Sequence, residues 1–319
     1  MKAAIVQGAG QAPVYGDFKE PVAGEGESLV TVTACALSHL TKRRAMGTHY
    51  SSTGDYPLIP GVDGVGKFPD GRRVFFAAPR PPFGSMAERT VVSQSMCAFL
   101  PEGLGDVEAA GMANPGMSCW LAFKERAHFQ AGESVLINGA TGTAGRMAVQ
   151  VARHLGAKRI VATGRNLETL KTLSALGVET AISLGLPDAE LEKAFMEQFD
   201  LGVDVVLDYL WGPSAGKILV AAAKANPDGH RVRYVEIGAV GGDVIPFPAE
   251  VLRATALELM GSGLGSVPME RVVKGIGEML AAAVPGKFKV DMRIMPLAKI
   301  GEVWASDTGN PRLVFTAGD

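Results

Sequence analysis

The residues best suited to chemistry form one loop, Gly139-Ala140-Thr141-Gly142-Thr143-Ala144-Gly145, which follows an apolar run and opens a stretch of helical periodicity. Gly142 lets the backbone approach a pyrophosphate, and Gly145 permits close packing of a helix on a strand. The free N–H groups at the helix start then face the anion. The first glycine of the usual pattern is Ala140 here, so the reading rests on the strand before the loop and the alternating units after it. A second group, Thr163-Gly164-Arg165-Asn166, closes the next strand. Enzymes that use NAD usually place Asp or Glu there for the ribose hydroxyls, whereas the first acid here is Glu168. An acid would repel a 2′-phosphate; Gly164 leaves room for one, and Arg165 grips it with two donors. The expected cofactor is NADPH. The plainer alternative is that Arg165 is a solvated residue opening a helix.

The elements that position these loops follow from the pattern. Before residue 100 the chain reads as short strands separated by glycine and proline, including Ser28 to Ala36, Arg72 to Ala77 and Met86 to Val92, with a short helix between His39 and Met46. From Gly132 onward strands alternate with helices. Ser134 to Asn138 is an apolar strand, and Thr143 to Leu155 has helical spacing stopped by Gly156. Further strands are expected at Arg159 to Thr163, Thr180 to Ser183, Val203 to Leu207, Tyr234 to Ile237 and Leu257 to Met260, with helices at Leu167 to Leu176 and around Ala215 to Lys224. This alternation predicts a parallel, doubly wound α/β sheet. The tail returns to mixed structure, with a helix from Pro268 to Ala283 and strands near Val290 to Ile294 and Leu313 to Thr316.

Composition removes several classes of function. A net charge of −2 over 319 residues sets up no field that would draw the chain to nucleic acid or to an anionic membrane. No apolar run approaches the roughly 20 residues that span a bilayer, and Gln7 and Gly8 interrupt the N-terminus before a signal-peptide core forms. Cys35, Cys97 and Cys119 are an odd number with no CxxC spacing, so a reducing, cytoplasmic setting is expected rather than a disulfide framework.

With these residues in place, the sequence resembles the medium-chain dehydrogenase/reductase superfamily, and within it the zinc-independent quinone oxidoreductase branch. The resemblance is carried by Met1-Lys2-Ala3-Ala4, by Pro57-Leu58-Ile59-Pro60-Gly61-Val62-Asp63-Gly64-Val65-Gly66, by Gly139 to Gly145, by Val203 to Asp208 and by Arg312-Leu313-Val314-Phe315. It implies a Rossmann-type domain at 117–262, inserted into a mostly β, GroES-like substrate domain at 1–116 plus 263–319. It also implies a hydride-donor site in the cleft between domains, and a homodimer joined through Ala256 to Gly261. Ile237, Gly238 and Ala239 are expected to end a strand beneath the nicotinamide, and Asn114, Pro115 and Gly116 to precede a linking helix on its side.

Zinc-dependent relatives place a Cys before the short helix and a His-Glu pair after the Pro-Gly turn. Those positions read Ser38 and Val62-Asp63 here, and the four clustered cysteines of a structural zinc lobe are absent. Tetrahedral zinc needs several thiolate or imidazole ligands together, so no metal is expected. His39 reads better as a hydrogen-bonded structural residue than as a ligand.

The quinone oxidoreductase branch often has Asn at the position of Ser38 and Tyr at that of Arg43. This chain departs from both, so the acceptor pocket has its own chemistry. Ser38, Thr41, Arg43 and Tyr50 are its candidate lining. The alternative for Arg43 is a solvated patch with Lys42 and Arg44, and Cys119 and Trp120 read as core. The function expected is an NADPH-dependent reductase of a quinone or an α,β-unsaturated carbonyl, acting on a small-molecule acceptor. Two alternatives stay open: an enoyl-thioester reductase, and a non-catalytic NADPH-binding sensor or structural protein.

Overall fold

Apolar residues recurring every three or four positions make helices here, and β-branched or aromatic runs bounded by turn residues make strands. A computed structural model of the chain describes residues 1–48, 52, 54–263, 265–306 and 311–318. It divides into two compact units, Met1–Asn114 with Glu270–Asp319, and Pro115–Met269. The first passage through the first unit contains β1 (Lys2–Ile5), β2 (Val14–Asp17), β3 (Glu27–Ala36), α1 (His39–Ala45), β4 (Asp63–Lys67), β5 (Arg73–Ala77), β6 (Arg89–Ser93) and β7 (Cys97–Phe99). Helix α2 (Asp106–Leu121) then leads to the second unit.

The second unit alternates strictly: β8 (Ser134–Asn138), α3 (Thr143–His154), β9 (Arg159–Gly164), α4 (Leu167–Thr172), β10 (Thr180–Ser183), α5 (Asp188–Asp200), β11 (Val205–Asp208), α6 (Gly212–Ala225), β12 (Val232–Glu236), α7 (Ala249–Ala254) and β13 (Leu257–Gly261). The chain returns to the first unit with α8 (Met269–Gly286), β14 (Met292–Pro296), α9 (Ile300–Val303) and β15 (Arg312–Thr316).

In the second unit all strands run parallel in the order β10-β9-β8-β11-β12-β13. The chain therefore winds outward from β8 in one direction and from β11 in the other, and the reversal falls between those two strands. In open parallel sheets ligands bind outside the carboxyl ends of the strands at that switch point. Strands β8 and β9 are buried at every position, as expected for a sheet covered on both faces. Leu136, Val206, Phe195, Phe199 and Tyr234 sit in one of its cores, none with exposed surface, and each large apolar side chain so buried contributes roughly 1.5–3 kcal/mol.

In the first unit β14-β15-β3-β4-β5-β7 form one sheet, with β6 also paired to β3. Its pairs are antiparallel apart from β14 with β15. The expected α/β class, with a doubly wound parallel sheet and a mostly antiparallel β portion, is the observed one.

Helices α2 and α5 are among the elements that depart from the sequence reading. Asn114, Pro115 and Gly116 do not precede a helix but lie inside α2. Pro115 removes one backbone donor there, and its own carbonyl accepts from Ser118 Oγ at 2.8 Å. Helix α5 was not read from the sequence, although it buries Leu191, Phe195 and Phe199, four residues apart.

Candidate active site

The glycine loop lies at the carboxyl end of β8, beside the switch point. Gly139 has φ +91°, and a Cβ on Gly145 would stand 2.3 Å from its carbonyl oxygen and 2.6 Å from Ala140 Cα. Gly145 is therefore required by the approach of α3 to its own strand. Gly142 differs: it is exposed, its nearest neighbour to a Cβ is 3.9 Å away, and it caps α3 with no side-chain acceptor. The first amides of α3 therefore keep the positive end of the helix dipole toward the loop. Ala140 is fully buried and donates its N–H to Thr163 O at 2.8 Å, tying the loop to β9. Thr141, Thr143 and Ala144 are half-buried around Gly142.

Beneath the loop is a buried polar network that sequence reasoning missed. Asn138, Asp208 and Glu236 lie side by side at the ends of β8, β11 and β12. Asp208 has no exposed surface. Its Oδ1 accepts from Asn138 Nδ2 at 2.7 Å, Leu210 N at 2.9 Å and Trp211 N at 3.1 Å, and its Oδ2 accepts from the Tyr234 hydroxyl at 2.6 Å. Burial, then the Asp208 charge, pushes the Tyr234 phenol well above its ordinary range, so the phenol stays a donor. Thr163 Oγ1 donates to Asn138 Oδ1 at 2.6 Å and accepts from Gly139 N at 3.1 Å. The network thus holds the first residue of the glycine loop. Its signal in the sequence was a polar residue closing each of two otherwise apolar strands.

At the end of β9, Arg165 is exposed, and its guanidinium has no ion-pair or hydrogen-bond partner among the described residues. The nearest acid, Glu168, is held by Lys171 at 2.9 Å. The space beside Gly164 is not the empty room expected from the sequence. A Cβ there would lie 2.3 Å from Thr141 Cγ2, so Gly164 accommodates Thr141 of the loop. Asn166 is the N-cap of α4, accepting from Thr169 N at 3.0 Å. Ile237 and Gly238 lie just past the end of β12, and both donate N–H to Asp208 O.

In the first unit, Ser38 is the N-cap of α1 and accepts from Thr41 N at 3.0 Å. The two hydroxyls are 2.9 Å apart, and both residues are buried. One hydroxyl proton closes that contact and the other is left over for a further acceptor. Thr41 lines an open cavity of about 600 Å³ formed by residues of this unit. Arg43 does not: it is exposed on α1. Tyr50 lies outside the described residues.

Asp63 opens β4 and is buried. Burial raises its carboxyl to about 6, against the opposing charge of Arg312. Among the described residues no group of three or more His, Cys, Asp and Glu side chains could hold a metal ion. Cys119 and Trp120 are buried.

Comparison with known proteins agrees with this geometry. A family model described as zinc-binding dehydrogenase matches residues 144–281. A probable NADPH-dependent quinone reductase of Emericella nidulans is 26% identical over 343 residues, covering 95% of this chain and 96% of that one. An NADPH-dependent alkenal/one oxidoreductase of Arabidopsis thaliana is 24% identical over 302 residues, covering 85% and 73%. Among solved structures, the quinone oxidoreductase of Thermus thermophilus, known also in complex with NADPH, superposes with a TM-score of 0.80 at 28% identity, over 99% of this chain and 100% of that one. From the strand order, the glycine loop and these likenesses together, the chain belongs to the medium-chain dehydrogenase/reductase superfamily, in its quinone oxidoreductase-like branch.

Proposed function

We propose that the protein is a zinc-independent, NADPH-dependent reductase that delivers hydride to a quinone or an α,β-unsaturated carbonyl. The observation that carries this reading is the start of α3 at Gly142, with no side-chain cap, and the guanidinium of Arg165 at the end of the neighbouring strand, without a partner among the described residues. Gly139 to Gly145, with Ile237 and Gly238, would hold the dinucleotide, and Arg165 its 2′-phosphate. Asn166 has its amide nitrogen left to assist, because its oxygen caps α4. The bound cofactor supplies the hydride.

The protein's own residues have a smaller task. Reduction of an enone or quinone leaves an anionic oxygen, which needs hydrogen-bond donors and then a proton from water. The spare proton of the Ser38–Thr41 pair is such a donor; it belongs to Thr41, on the cavity lining, when Ser38 donates within the pair. Alcohol oxidation would instead require a metal or strong base to remove a hydroxyl proton.

A small-molecule acceptor, a cytoplasmic setting and a homodimer belong to the same proposal. No helix among the described residues is long and apolar enough to cross a membrane. The dimer is supported by β13, an edge strand of its sheet on which Leu259 is partly exposed. The test follows the absorbance of the reduced nicotinamide. NADPH oxidation with quinones and enones is expected, together with negligible NADP⁺ reduction by simple alcohols; robust alcohol oxidation by the metal-free protein overturns the assignment. Arg165→Ala should weaken NADPH by roughly one to two decades and leave NADH nearly unchanged, and equal affinity of the unmodified protein for both cofactors would defeat the cofactor reading.

A further inference from the structure

The cavity beside α1 measures about 600 Å³ and is lined by first-unit residues. That volume suits a small organic ligand. Its walls are largely apolar, with Phe18, Ile59, Pro60 and Phe83 among them. Two cations also line it. Arg44 is half-buried, and its guanidinium has no ion-pair or hydrogen-bond partner among the described residues. Lys19 lies over the Phe83 ring, 6.0 Å from its centroid, with no carboxylate in contact among the described residues.

Two carboxylates border the same space. Asp17 is engaged by Lys2 at 2.9 Å, which cancels its charge locally. Asp55 is exposed at the rim. Arg44 and Lys19 are the cations of this lining, and an anionic group on the ligand suits them. A carrier bearing several phosphates would need more cations than this. A half-buried arginine over apolar walls fits a carboxylate, which it binds through two parallel donors.

We propose that the acceptor reduced by this protein is an apolar enone or quinone bearing one carboxylate, and that Arg44 selects it. The inference rests on the hydride-transfer reading above, since Thr41, one of the hydroxyl pair used there, lines this same cavity. Arg44 acts on binding and not on the reacting carbon, so its effect belongs in KM.

The test compares two acceptors alike but for one group, para-carboxybenzylideneacetone and the matching para-carboxamide. With the full-length protein and NADPH, the carboxylate should show a KM about tenfold lower with little change in kcat. Arg44→Gln should abolish that preference, chiefly by raising the KM of the carboxylate about tenfold. Arg44→Lys keeps the charge but loses the fork, and should retain about a threefold preference. Lys67→Gln, an exposed position of the same unit outside the cavity, should retain all of it. Calorimetry with the saturated ketone of the carboxylate acceptor, without cofactor, should show the same order of affinities. Equal KM for the two acceptors, or a preference that survives Arg44→Gln, overturns the inference alone. Absence of NADPH oxidation with either acceptor overturns the hydride-transfer reading, and the inference with it.

Discussion

Two glycines of one loop should fail in opposite ways when each receives a methyl group. At Gly145 the new Cβ would stand 2.3 Å from Gly139 O and 2.6 Å from Ala140 Cα. Both neighbours are backbone, so α3 must move away from β8 by about 1 Å to restore ordinary contact. Overpacking of this kind costs about 1–3 kcal/mol, and in a unit of this size each kcal/mol lowers the unfolding temperature by about 2–4 °C. At Gly142 the nearest atom is 3.9 Å away, and φ −79° with ψ 167° is open to alanine. Gly142→Ala should cost no more than about 1 kcal/mol, the difference between the two residues as helix caps. Its methyl, however, occupies the face by which a pyrophosphate would reach the loop. Thermal unfolding and titration with NADPH, followed by fluorescence, separate the two cases. Gly145→Ala should lose stability and cofactor together, whereas Gly142→Ala should stay folded and bind NADPH at least about tenfold more weakly, or 1.4 kcal/mol. A folded Gly142→Ala protein with unchanged NADPH affinity would refute the assignment of this loop.

Asp63 yields a pH dependence. Its native carboxyl ionises near 6 against an ordinary 3.8 because it is buried, so the unfolded chain ionises first and native stability falls as pH rises from about 4 to 7. Two units correspond to about 3 kcal/mol. The unfolding free energy of wild type relative to Asp63→Asn should move against wild type by up to that amount over this window in denaturant titrations, and a difference that does not vary with pH would count against the reading. Tyr234→Phe removes the donor from Asp208 Oδ2 and leaves that oxygen buried. It should cost about 2–3 kcal/mol; urea unfolding within about 0.5 kcal/mol of wild type would show that the phenol is not what holds this carboxylate.

Much of the molecule is determined locally, and that part was legible. Strands β8, β9 and β10 appear within a residue of where apolar runs and turn residues place them, and Gly177 ends the turn after α4 at φ +100° as a helix-stopping glycine should. Gly145 is legible because it answers to the backbone of Gly139 and Ala140, only a few residues away. What the residues do across longer separations was decided by tertiary structure. Gly164 looked like room for a phosphate until the fold brought Thr141 against it, and Arg43 and Arg44, adjacent in sequence, part ways because a helix turns about 100° per residue. Asn138, Thr163, Asp208 and Tyr234 come from four strands, and only the register of the parallel sheet makes them one hydrogen-bonded cluster. Residue type and spacing constrain what a segment becomes, because propensity and periodicity act over one or two turns. Which polar atoms meet, and which are left without a partner, depends on contacts between segments far apart in the chain, and no local pattern records those.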